Sequence, residues 1–347
     1  MSHLPDHLPL SSLTIPGTHD SAAFTYSWPF IQTQSMNFLE QLAAGIRYFD
    51  LRCGLRDDSV QMVHGTAVLG ITLTTVLSEM YLWLSKHQSE CLVVQIKQDR
   101  HADNSTMHFS TAICHVLAQA SPMWRTANTT PTLGSLRGKI QLFRRFNFAE
   151  TEPPSQIAYG IDVTRWEDNP NRPFTILTSH YVRLTIQDHY SFADPLPLPS
   201  LIAKKGGDVA ELLQRATEDS ELQHWYVNFT SAFEFSFWFQ VSPKEVAKGG
   251  WWAFKTEVGV NERLKEWLRL RAGEGRRRLG IVVMDFPESG GEGLVEALIG
   301  TNFGKQRKVW RGWEVFGTVM LVLLMIVIVV LTLWAPCGAS GVCIPQP

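Results

Sequence analysis

Short runs rich in β-branched and aromatic residues recur along the chain, each bounded by Gly, Pro or Asp: SLTIPG, IRYFDLRC, VQMVHG, CLVVQIKQD, KIQLFRRF, RLTIQDHY, WYVNFTS and LGIVVMDF. Such runs read as strands, because branched and aromatic side chains pack well on a pleated, half-buried surface. Between several of them the apolar spacing changes to a helical period, at Thr74 to His87, Ser105 to Ala120, Asp208 to Gln223 and Asn261 to Arg271. A helix between strands carries the chain back to the same end of the sheet, so the strands pair in parallel. Eight strand candidates alternating with helices therefore predict an α/β fold, a (β/α)8 barrel of the TIM type. The stretch from Glu150 to Thr178 shows no clear helix, which predicts an irregular barrel wall there.

Polar residues gather at the ends of these runs, where a purely structural barrel needs none: His19 and Asp20, Asp50 and Arg52, His64, Lys97, Arg145, Asp188 and Tyr190, and Asp285. In a parallel barrel the C-terminal strand ends and the loops after them build the active site. Residues two apart on a strand share a face, so Asp50 points with Arg52 and Asp188 with Tyr190. Two histidines can serve as base and acid near neutral pH, and a guanidinium offers paired donors to phosphate oxygens. A carboxylate behind each imidazole fixes its tautomer. The set suits phosphoryl transfer by general acid–base catalysis. In a phosphodiester with a neighbouring hydroxyl, the base would turn that hydroxyl on phosphorus and the acid would protonate the departing alcohol. The reading of Asp50 and Arg52 as a structural ion pair stands beside this one. The other nine histidines have no such context, and the Gly-rich PESGGEG near residue 290 is a turn rather than a phosphate loop.

The blocks LTIPGTHDSAAF, GIRYFDLRC, VHG, VVQIKQD, RGKIQLFRRF, LTIQDHY, VNFTS and VVMDF resemble, in order, the motif series of phosphatidylinositol-specific phospholipase C, in its bacterial-type, metal-independent branch. The resemblance covers roughly residues 8 to 300 and implies a distorted, incompletely closed TIM barrel. It implies that His19 is the general base toward the inositol 2-hydroxyl, supported by Asp285. It makes Arg52 the phosphate-binding arginine, His64 the general acid assisted by Asp20, and Asp50 the second carboxylate of that network. Lys97, Arg145, Asp188 and Tyr190 resemble the inositol-binding set, with Arg144 competing with Arg145. The calcium-dependent branch carries Asn after the first histidine and acidic metal ligands in the second block. Asp20 and Arg52 stand at these places here, so the resemblance implies no metal and no cofactor. The implied reaction cleaves phosphatidylinositol-type lipids to diacylglycerol and inositol 1,2-cyclic phosphate. The alternatives are a same-fold phosphodiesterase for another head group and an inactive membrane-tethered lipid-binding protein.

Aromatic residues crowd Phe233 to Phe239 (FEFSFWF), and Trp28 with Phe30 follows the first strand. Core packing is one reading of them. The other is a membrane rim, with Trp28, Phe237 and Trp238 meeting a bilayer. Lys and Arg number 31 against 33 Asp and Glu, a net charge of −2, which excludes the basic footprint of a nucleic-acid binder. No charged residue occurs from Val315 to Pro347, and Phe316 to Trp334 is apolar almost throughout. That length predicts one transmembrane helix. Lys305, Arg307, Lys308 and Arg311 precede it, placing the catalytic part on the cytosolic side of a single-pass C-terminal anchor. The expected organisation is a catalytic barrel over 1–303, a basic juxtamembrane segment over 304–315, a span over 316–334 and a short tail over 335–347.

Overall fold

The computed structural model describes residues 1–149, 159–273, 275–290 and 293–303. Eight parallel strands form its frame: β1 (Ile15–Thr18), β2 (Tyr48–Arg56), β3 (Leu92–Gln98), β4 (Ile140–Arg145), β5 (Ile161–Asp162), β6 (Arg183–Gln187), β7 (Trp225–Phe229) and β8 (Ile281–Met284). Each pairs with its neighbours in sequence, and β8 closes back on β1 through Ile15↔Ile281 to Thr18↔Met284. The ring is open at one place: among the described residues β5 and β6 do not pair. The free edge of β6 is taken instead by an antiparallel strand, Phe174–Leu177.

One of the eight expected staves is reassigned and one stave is added. VQMVHG is not a barrel strand. Residues Ser59–His64 run antiparallel to the extension of β2 and form a hairpin with Ala67–Thr72. The stave missing from the sequence reading is β5, only two residues long, in the stretch where no regular pattern was visible. The helix expected from Asp208 begins ten residues earlier, at Leu198. Pro197 and Pro199 stand at its start, where proline is tolerated because the missing N–H has no partner to lose. Gly206 and Gly207 lie within this helix with open space where a side chain would be.

Alternation along the staves sorts the core into two layers. Tyr48, Val93, Phe143, Trp225, Phe229 and Ile281 fill the barrel interior. Phe49, Leu51, Val94, Leu142 and Val282 point outward against the surrounding helices. Gly17 is required where β1 meets β2: a Cβ there would lie 2.8 Å from the Tyr48 ring. That close approach sets the height at which His19 leaves β1.

The expectation of a barrel joined to a transmembrane helix is corrected. Among the described residues no helix is long and apolar enough to cross a membrane. The expected span, 316–334, lies outside the described residues, as do the 304–315 and 335–347 segments. Among the described residues the architecture is the open barrel, and the single-pass C-terminal anchor and the cytosolic placement drawn from it are set aside.

Candidate active site

β1 ends in His19 and Asp20 at the barrel mouth. The His19 N–H donates to the Met284 carbonyl at 3.0 Å, tying this corner to β8. Asp20 has a left-handed backbone, φ 43°, a conformation disfavoured for a side chain with a Cβ. Its N–H donates to Asp50 Oδ2 at 3.3 Å. The turn thereby aims the buried Asp20 carboxylate between two imidazoles, with Oδ2 3.6 Å from His19 Nε2 and 3.5 Å from His64 Nε2.

His19 Nδ1 lies 2.8 Å from Asp285 Oδ1, and its Nε2 lies 2.7 Å from the Arg52 guanidinium. Arginine has only N–H donors, so Nε2 must accept and Nδ1 must carry the proton given to Asp285. Burial most strongly disfavours the imidazolium and Arg52 opposes it too, but the charge and hydrogen bond of Asp285, with Asp20, together prevail, and the His19 pKa is raised. The Arg52 Nε reaches Asp20 Oδ1 at 3.2 Å and Asp50 Oδ2 at 3.4 Å. Burial of this guanidinium is overcome by Asp20 and Asp50, so its pKa is raised. Asp50 is 0 % exposed, and its other oxygen accepts from Gln95 at 2.7 Å. Burial alone would push its carboxyl up, yet Arg52 first, then His19, Arg145 and Lys97, bring it down to about 2.

His64 ends the hairpin strand rather than a stave. Its Nδ1–H donates to the Ile31 carbonyl at 2.7 Å, which leaves Nε2 facing Asp20. The loop after β1 therefore orients the second imidazole.

Arg52, Lys97 and Arg145 are in register on β2, β3 and β4, a row of three cations on one face of the wall. Lys97 pairs with Asp99. Arg145 lies 4.2 Å over the Trp166 ring, and burial lowers its pKa, with Asp188 favouring the charge. Arg144 points the other way, bonded to the Phe146 carbonyl and to Asp162. One residue of register separates the two faces. Asp188 is buried and accepts from the Trp166 indole at 2.8 Å. The Tyr190 hydroxyl donates to Asp168 at 2.9 Å, and its ring stacks on Phe233. Burial, then Asp168, pushes the phenol up to about 12.

Sequence reasoning missed Gln95, Asp99, Trp166 and Asp168. Trp166 lies in the irregular stretch between β5 and β6, where no periodicity marks it. Gln95 was legible in principle, since it sits two residues before Lys97 on the same face.

The expected rim residues are exposed: Trp28, Phe237 at 91 % and Trp238 at 74 %. Phe30 meets Phe235 edge-on at 5.0 Å, joining the loop after β1 to the aromatic segment after β7. A further hairpin, Gly249–Trp252 with Lys255–Val258, was not expected. It exposes Trp251 and, at 93 %, Phe254. Trp252 packs against Phe239, so this hairpin continues the same aromatic face.

Residues 7–146 match the family model "Phosphatidylinositol-specific phospholipase C, X domain". The chain is 28 % identical over 297 residues to a 1-phosphatidylinositol phosphodiesterase of Listeria monocytogenes, covering 83 % of this chain and 80 % of that protein. It is 28 % identical over 299 residues to the enzyme of the same name from Staphylococcus aureus, covering 82 % and 87 %. The crystal structure of a phosphatidylinositol-specific phospholipase C from Staphylococcus aureus, in a pentafluoro-Phe form, superposes with a TM-score of 0.71 at 26 % identity, over 87 % of this chain and 96 % of that one. The chain is thus similar over most of its length to bacterial phosphatidylinositol-specific phospholipases C, and its residues 7–146 match the X-domain model of that family.

Proposed function

We propose that this chain cleaves phosphatidylinositol to diacylglycerol and inositol 1,2-cyclic phosphate, with His19 as base and His64 as acid. The coarser statement, a phosphatidylinositol phosphodiesterase of the phospholipase C type, rests on homology along most of the chain. The observation that carries the finer one is His19 held between Asp285 and Arg52.

Asp285 keeps the proton on Nδ1, so the Nε2 lone pair faces the cation that would hold the phosphate. His19 Nε2 takes the proton of the inositol 2-hydroxyl as that oxygen attacks phosphorus. A bond forms between O2 and phosphorus, and the bond to the glycerol oxygen breaks. His64 Nε2 gives its proton to that leaving oxygen, with the Asp20 carboxylate 3.5 Å away. Arg52 places fixed positive charge where the phosphate oxygens gain negative charge, in a site with little water to reorganise. Arg52, bracketed by Asp20 and Asp50, supplies in place the charge that would otherwise need a bound cation, so no metal is required. Lys97, Arg145, Asp188 and Tyr190 form the polyol-binding wall, and Trp28, Phe237, Trp238, Trp251 and Phe254 form the face that meets the lipid surface.

A lipid-binding protein without turnover has no use for two imidazoles each oriented by a hydrogen bond at Nδ1. Substitution His19→Ala tests the difference. It should leave the far-UV spectrum and melting unchanged and abolish release of diacylglycerol; retained release overturns the mechanism.

A further inference from the structure

Behind Asp188 and Tyr190 lies a buried polar network that the phosphoryl step does not use. Lys205, in the middle of helix Leu198–Glu218, is 0 % exposed. Its ammonium donates to Gln187 Oε1 and to the His189 carbonyl, both at 2.8 Å. Those groups flank Asp188 on either side. Gln187 Oε1 also accepts the His189 N–H at 2.9 Å, and its amide donates to Asn228 Oδ1 and to the Phe229 carbonyl at 2.8 Å each. Asn228 closes the circuit by donating to the Val209 carbonyl of the same helix at 2.9 Å. One ammonium thus fixes the end of β6, the end of β7 and the helix in a single arrangement.

The choice of group is costly. Both hydrogen-bond partners of Lys205 are neutral oxygens, and burial drives its pKa down to about 8 against the pull of Asp188, Asp208 and Asp285. A buried charge is tolerated where it satisfies acceptors that would otherwise be stranded. Here those acceptors belong to the residues on both sides of Asp188. Trp166 holds the Asp188 carboxylate from the front, and Lys205 holds the Gln187 amide oxygen and the His189 carbonyl on either side of it.

We infer that Lys205 is a positioning residue for the segment Asp188–Tyr190 and sets affinity for the polyol head group without entering the phosphoryl step. The inference rests on the proposed reading of that segment as the inositol-binding wall.

The test uses Lys205→Met, of similar length but without donors, and Asp188→Asn, alone and together, with the full chain acting on phosphatidylinositol in mixed micelles. Lys205→Met should raise the inhibition constant of free myo-inositol by about tenfold, which is about 1.4 kcal/mol. It should leave kcat within about threefold at saturating lipid. In the Asp188→Asn background the same change should cost little more, because the two residues act as one unit. Equal factors in both backgrounds, or a fall in kcat with myo-inositol binding intact, would overturn the inference. If Lys205→Met does not fold, Gln187→Met removes the other half of the clamp and is read the same way. Wild-type protein that neither turns over phosphatidylinositol nor binds myo-inositol defeats the functional reading itself, a result distinct from both.

Discussion

His19 meets a carboxylate on one nitrogen and a guanidinium on the other, and the balance between them sets the pH at which it can act. As a base it must be unprotonated, so activity falls as pH drops through its pKa, which lies above the ordinary 6.5. Replacing Asp285 by Asn removes the largest contribution favouring the imidazolium. The acid limb of the kcat/KM profile should then move to lower pH while kcat itself drops, since the tautomer is no longer held; a limb that stays in place contradicts the pairing. Loss of His19 or His64 should each cost about 10²–10⁴ in kcat, the usual worth of a positioned acid or base. A carboxylate behind a histidine does not by itself mark a catalyst. His224 lies 2.7 Å from Asp219 and 2.8 Å from Thr185 Oγ1, and His189 lies 2.9 Å from Asp208. Thr185 is buried, so the first of these has the spacing of a relay but no access to substrate. His19 and His64 differ from these in that both face one buried carboxylate, Asp20, at the barrel mouth, and their strand-end positions were legible in the sequence.

At the scale of elements, alternation on β2, β3 and β4 put Asp50 and Gln95 in one row and Arg52, Lys97 and Arg145 in the next. Two-residue periodicity revealed this for Asp50 with Arg52, but it could not choose between Arg144 and Arg145 without the register of β4. The hairpin bearing His64 was read as a stave because a hairpin strand and a barrel strand have the same local composition. Only the partner differs, and pairing is a non-local property. The aromatic hairpin Gly249–Val258 escaped notice for another reason: its tip, Ala253 and Phe254, has positive φ at both residues without the Asn or Gly that signals such a turn. Trp238→Ala and Phe254→Ala should each weaken partition onto phospholipid vesicles by about tenfold, from the apolar area each would bury. Affinity for free myo-inositol should be unaffected. Equal losses in both assays would assign these rings to folding rather than to the lipid surface.

For the whole molecule, the repeat of strand and helix sufficed to imply a barrel, because parallel neighbours joined by helices have few other ways to bury both faces of a sheet. Its opening between β5 and β6 was signalled only as a stretch without a pattern. A two-residue stave held by Phe143↔Ile161 and Arg144↔Asp162 leaves too short a trace to read. The converging strand ends explain why residues from position 19 to position 285 form one site, and why Arg52 can lie against three partners drawn from two staves. As proposed, this arrangement makes a cyclic phosphate by acid–base chemistry without a metal. The direct test is ³¹P NMR of phosphatidylinositol micelles incubated with the full chain in excess EDTA. A cyclic inositol phosphate resonance growing at the expense of the lipid signal is the predicted result. Turnover that is absent in EDTA and restored by calcium, or a first product that is acyclic, would contradict it.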